Sequence, residues 1–100
     1  MFVRVVRSAT LAIAADAGLS IDQSEELALA TDEACNVLID ARAVELLVEF
    51  VQHDQLDITI RPAQDVDLQM DTVSELILTT MTECASISAE GTISLRKQTA

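Results

Sequence analysis

Gly18 and Gly91 are the only glycines among 100 residues, and Pro62 is the single proline. Glycine enters left-handed backbone at no steric cost and proline breaks regular structure, so the chain is expected to turn hardest at these positions. Gly18 closes a stretch of helical periodicity, and Gly91 sits between two short alternating runs as the turn of a hairpin. Both glycines are thereby committed to folding. None remains for a loop that must curl its amide groups closely around a phosphate.

Around these points the hydrophobic pattern reads as helix, helix, strand, strand, helix, strand, strand. From Phe2 to Ala17, the residues Val3, Val6, Thr10, Ile13, Ala14 and Ala17 recur at the spacing of one helix face. Ser20 with Gln23 forms a capping box, and the helix it opens runs to about Arg42. Leu27, Ala30, Ala34, Val37, Leu38 and Ala41 make its apolar arc; Glu26, Glu33 and Asp40 fall opposite, with Glu25, Asp32 and Asn36 beside them. Val44, Leu46, Val48 and Phe50, then Leu56, Ile58 and Ile60, recur with the period of two that half-buried strands show, joined through Gln52-His53-Asp54-Gln55. After a loop from Pro62 to Asp71, Thr72 and Glu75 make a second capping box. The helix that follows carries Val73, Leu76, Ile77, Thr80, Met81 and Cys84 at core spacing. Ala85, Ile87 and Ala89, then Ile93 and Leu95, form the closing hairpin. The economical way to bury one stripe per helix and one face per strand is an α+β two-layer sandwich. It has a mainly antiparallel four-stranded sheet and three helices on one face, in a single domain over residues 1–100.

Half of the residues are apolar, enough for one core without metal or disulfides. Seventeen acidic against six basic residues give a net charge of −11, which repels phosphate backbones and anionic headgroups and argues against nucleic acid or a membrane as partner. The apolar run Ala9 to Ala15 behind Arg4 and Arg7 imitates a secretory signal, but Asp16 closes it and it fits the first helix. Cys35 and Cys84 read as small apolar residues of a reduced, cytoplasmic chain. His53, in a hairpin tip, has no Cys or Ser near it in sequence. The acids Asp65, Asp67, Asp71 and Glu75 lack the fixed spacing and turn glycine of a calcium loop. No metal site is expected.

Val3-Arg4-Val5-Val6-Arg7 through Ala17-Gly18-Leu19-Ser20, followed by Glu26-Leu27-Ala28-Leu29-Ala30-Thr31-Asp32-Glu33-Ala34-Cys35-Asn36, resembles the bacterial anti-sigma factors of the serine-protein-kinase type, members of the GHKL superfamily of ATPases and histidine kinases. Glu90-Gly91-Thr92-Ile93-Ser94-Leu95-Arg96-Lys97 is similar to that family's last hairpin. The resemblance is strongest over residues 1–41 and weak over 52–75. It implies a reduced histidine-kinase-like ATPase fold that captures a sigma factor, often as a homodimer, and releases it to a competing anti-anti-sigma protein. Many members also bind ATP and magnesium and phosphorylate a serine of that partner.

Carried over residue by residue, the resemblance implies Glu33 as the catalytic base. The asparagine that holds magnesium should lie four residues on, where Val37 stands; Asn36 is one residue early. Pairing Asp32 with Asn36 restores the spacing but turns both side chains by about 100° around the helix. The adenine-reading aspartate aligns with Pro62, the glycines beyond it with Gln64 and Val66, and the second glycine-rich segment with Asp71-Thr72-Val73-Ser74-Glu75-Leu76. A charge-assisted hydrogen bond is worth about 1.5–3 kcal/mol, so losing three phosphate contacts weakens binding by roughly 10³- to 10⁶-fold. The expectation is a regulatory domain that acts by protein binding, without a nucleotide cofactor, with Glu26, Glu33 and Asp40 facing a basic sigma-factor surface. The alternative is an active serine kinase in which Glu33 is the base and Asn36 or Asp32 a ligand of the ATP-bound magnesium.

Overall fold

The computed structural model describes residues 2–98. Its elements are α1 (Phe2–Asp16), α2 (Ile21–Asp40), β1 (Leu46–Gln52), β2 (Gln55–Pro62), α3 (Thr72–Met81), β3 (Cys84–Ile87) and β4 (Ile93–Gln98). The four strands form one antiparallel sheet in the order β1-β2-β4-β3, and the helices cover one face of it. The expected two-layer α+β sandwich is the observed one. No helix among the described residues is long and apolar enough to cross a membrane.

α2 is the pivot of the packing. The Ser20–Gln23 capping box is present in both directions and starts the helix where the sequence places it. The helix then contacts α1, α3, β2 and β4. Contact on several sides buries more of it than one arc. Ala28, Thr31 and Cys35 join Leu27, Ala30, Ala34 and Leu38 in the interior, while Val37 and Ala41 are only half-buried. Glu26 and Glu33 are half-buried in turn, so the acids do not form one solvated face. Thr10 and Thr31 are fully buried, and each hydroxyl donates to a carbonyl four residues back, Val6 O and Leu27 O, both at 2.8 Å. Satisfied in this way, the two threonines sit in the interior without the cost of an unpaired polar group.

The sheet supplies the other half of the core. Leu56, Ile58 and Ile60 of β2 and Ile93 and Leu95 of β4 are almost fully buried beneath the helices. Lys97, next in the same alternation, is also buried; its Nζ donates to Met81 O at 2.9 Å and lies 3.4 Å from Glu26 Oε1. It thus caps the C-terminal end of α3, where a cation is electrostatically favoured. On the opposite face, Arg61 pairs with Glu49 at 2.5 Å and Arg96 with Asp57 at 2.9 Å.

α3 departs from the expected register. Its N-cap is Asp71 rather than Thr72. Leu78 and Ser74 are buried, Ile77 and Met81 half-buried, and Val73 and Leu76 are 67% and 63% exposed. Cys84 lies outside the helix, at the start of β3. Five apolar residues in ten positions offer more than one stripe, and the one that turns inward holds Leu78, Ile77 and Met81, with Ser74 against Glu33 of α2. β1 begins at Leu46, leaving Val44 exposed before it.

Gly18 and Gly91 both adopt positive φ, +91° and +98°. A Cβ on Gly18 would meet nothing within 4 Å, whereas one on Gly91 would lie 2.6 Å from Val66 Cγ2. Gly18→Ala is expected to cost about 1–2 kcal/mol of backbone strain. Gly91→Ala should exceed that by about 1–3 kcal/mol because it also overpacks; urea denaturation of both variants checks the difference. Cys35 is buried, and burial first, then the Asp32 charge, pushes its thiol up to about 11. Native protein should therefore react with a thiol reagent at the exposed Cys84 and at Cys35 only after unfolding. A raised folded-state pKa stabilises the fold below the unfolded value and is lost above it. Its contribution should decline between pH 9.0 and about 11.

Candidate functional site

Between β2 and α3 the chain runs as an extended strip that pairs with no strand. Val66, Leu68 and Met70 turn inward onto the core while Asp65, Asp67, Gln69 and Asp71 face out. Val66 is the anchor. Its N–H donates to Glu90 O at 3.1 Å, and its side chain fills the space left by the missing Cβ of Gly91. The strip is therefore held down on the turn between β3 and β4, with its acids presented along one side.

That acidic side meets the C-terminal half of α2 across a cleft of about 400 Å³. Glu33, Asp40, Asp67 and Asp71 line it together with Val37, Ala41, Gln69 and Ser74. Ser74 joins the two walls: its hydroxyl donates to Glu33 Oε2 at 2.5 Å, and its backbone N–H donates to Asp71 Oδ1 at 2.7 Å. The second bond caps α3 and holds the Asp71 carboxyl below the usual carboxylate range. No lysine or arginine lines the cleft.

The other residues singled out in the sequence lie elsewhere. Asp32 points toward α1, where it accepts from Arg7 at 2.6 Å, and its Oδ1 is buried without a hydrogen-bond partner among the described residues. Asn36 is exposed and outside the cleft. Glu26 sits over a different depression, beside Lys97. Of the proposed partner-facing trio, Glu33 and Asp40 share the cleft and Glu26 does not. Glu33 is brought together with neither Asp32 nor Asn36.

Asp67, Gln69 and Ser74 carry the second wall and were not among the sequence candidates. The alternation of Val66, Leu68 and Met70 with Asp67, Gln69 and Asp71 is the signal that marks the strip's side of that wall, since a period of two sorts a strip into a packed side and an open side; Ser74, inside α3, has no such signal.

As a donor set, the cleft does not fit a triphosphate. Its volume is within the range of small-molecule sites, but a phosphate charge about 4 Å from one carboxylate is raised by about 4 kcal/mol at an effective dielectric of about 20. Four carboxylates surround the space. The residue aligned with a phosphate-loop glycine, Val66, is packed inward. Among the described residues, no three His, Cys, Asp or Glu side chains gather as a metal-binding group. No protein-family model matches the chain, and no curated protein is significantly similar to it.

Ser74→Ala should remove the bond to Glu33 and destabilise the domain by about 1.5–3 kcal/mol. Glu33→Gln, which keeps an acceptor oxygen, should cost less; thermal melts of both variants test the ranking. Because the Asp71 pKa is depressed, its stabilising effect is present above the unfolded value of 3.8 and is lost as pH falls through the folded one. Asp71→Ala should lower the melting temperature at pH 7 and narrow its gap to wild type under strongly acidic conditions.

Proposed function

We propose that this chain is an anti-sigma-factor-like regulatory domain that acts by binding protein and has lost nucleotide chemistry. The observation that carries the reading is the cleft itself. Glu33, Asp40, Asp67 and Asp71 line one cleft, with no lysine or arginine in its lining. A surface of that charge is complementary to a basic protein surface and repels a phosphate chain. The candidate partners are a sigma factor, whose DNA-binding surface is basic, and an anti-anti-sigma protein that competes for the domain. In the serine-kinase alternative Glu33 is the base; in this chain one of its carboxylate oxygens, Oε2, accepts a hydrogen bond from the Ser74 hydroxyl.

Two measurements separate these readings. Calorimetric titration with ATP and magnesium should give no heat of binding up to about 1 mM nucleotide, a dissociation constant that corresponds to about −4.1 kcal/mol. Saturable binding below that concentration, or transfer of labelled phosphate to an anti-anti-sigma protein, would restore the kinase reading. Titration with the sigma factors of the native host should give at least one saturable complex, weakened about tenfold or more by Asp40→Lys with Asp67→Lys. If none of them binds, the anti-sigma reading fails.

A further inference from the structure

We propose that the groove over the N-terminal half of α2, between α1 and the end of α3, docks a basic amphipathic helix of a partner protein. The inference rests on the reading that the domain works by protein binding, and it names the partner's chemistry and a place on the domain separate from the acidic cleft.

The groove is a shallow, open depression of about 700 Å³ lined by Arg7 of α1, Leu29 of α2 and Met81 of α3. A second depression of about 200 Å³, lined in part by Leu11 and Ile21, continues it past the shared Glu25. Leu29 is 43% exposed and Ile21 is 78% exposed. The two large apolar side chains stand eight residues apart on one helix, each beside one of the two depressions. Their separation along the axis is about 12 Å, two turns of a facing helix.

Charge decides what kind of helix fits. Asp22, Glu25 and Glu26 edge the apolar floor. Arg7, which also lines the groove, pairs with Asp32, and Lys97, its side chain 6% exposed, pairs with Glu26, so Asp22 and Glu25 carry the groove's unneutralised charge. A helix that lays apolar residues on Leu29, Ile21 and Met81 and carries Lys or Arg along its flanks meets both requirements. A second copy of this chain, itself at −11, is disfavoured by mutual repulsion.

The probe is a labelled amphipathic helical peptide of Leu and Lys, with a Leu/Glu peptide of the same pattern as control, followed by fluorescence anisotropy near 0.15 M salt, where the screening length is about 8 Å. The Lys peptide should bind saturably and the Glu peptide should not. Leu29→Ser, which leaves the net charge unchanged, and Glu25→Lys should each weaken binding about tenfold or more. Asp65→Lys, an equal charge change on the exposed strip, should alter it less than about twofold. Absence of saturable binding, indifference to Leu29→Ser, or equal losses in Glu25→Lys and Asp65→Lys would each overturn the proposal; circular dichroism of each variant confirms that it is folded. The two readings fail separately. A wild-type chain that binds the Lys peptide but no sigma factor keeps the groove and loses the anti-sigma role. Sigma capture by a chain that ignores the peptide, unchanged by Leu29→Ser and Glu25→Lys, does the reverse.

Discussion

Burial of α2 on several sides is the constraint on which the other elements depend. A helix that touches α1, α3 and two strands must present small or self-satisfied residues to each neighbour. α2 does so with Ala28, Ala30, Ala34 and Cys35, and with Thr31 bonded to its own turn. α1 answers with Thr10 and Ala14, both fully buried. Close approach of the two helices follows, and dispersion contacts rather than large side chains do much of the packing there. The larger residues, Leu27 and Leu38, are kept for the core over the sheet. Leu38→Ala would cost about 2–5 kcal/mol, a large share of the total stability of about 5–15 kcal/mol expected for a domain.

The same burial sorts the charges. Acids on α2 that fall beside a neighbour acquire partners: Asp32 takes Arg7, Glu33 takes Ser74 and Glu26 approaches Lys97. With Arg61 on Glu49 and Arg96 on Asp57, four of the six basic side chains are held in ion pairs. The exposed pairs, Arg61 with Glu49 and Arg96 with Asp57, add little stability, typically up to about 1 kcal/mol each. Each pair neutralises one carboxylate along with its cation and leaves the net charge at −11. The cleft that holds Glu33, Asp40, Asp67 and Asp71 has no lysine or arginine in its lining, and this is the property that the proposed protein-binding role draws on.

How much of this was legible in the sequence depended on whether a segment had one neighbour or several. The strands of the central hairpin, facing the core on a single side, follow their period of two residue by residue, and α1 buries Val6, Thr10 and Ala14 as its stripe implies. The caps at Ser20 and the turns at Gly18 and Gly91 follow from local chemistry and were readable for that reason. α2 looked one-sided because alanine and threonine carry weak hydropathy, yet these are the residues that let a second and third neighbour approach. α3 turns Ser74 and Leu78 inward, Ser74 meeting Glu33 41 residues away in sequence. No local period encodes such a contact. For the cleft, the wall of Glu33 and Asp40 is legible in the sequence, whereas the opposite wall joins acids of the strip to Ser74 of α3, which no single local pattern links.

The strip from Pro62 to Asp71 is where fold and chemistry compete for the same backbone. A phosphate-binding loop must leave its amides free and its Cα atoms approachable, which is why glycine serves there. A strip that buries every second side chain does the opposite: it fixes its residues by packing and turns the remaining side chains outward. Val66 settles the competition, because its methyl group fills the space that only a glycine at position 91 leaves open. With Gly91 serving as the receptor for this anchor and Gly18 ending α1, both glycines are used in folding. Exchanging single acids for lysines along the strip would not make a phosphate loop of it, since its backbone would still be held down by Val66, Leu68 and Met70. A loop long enough to leave the core would be needed as well.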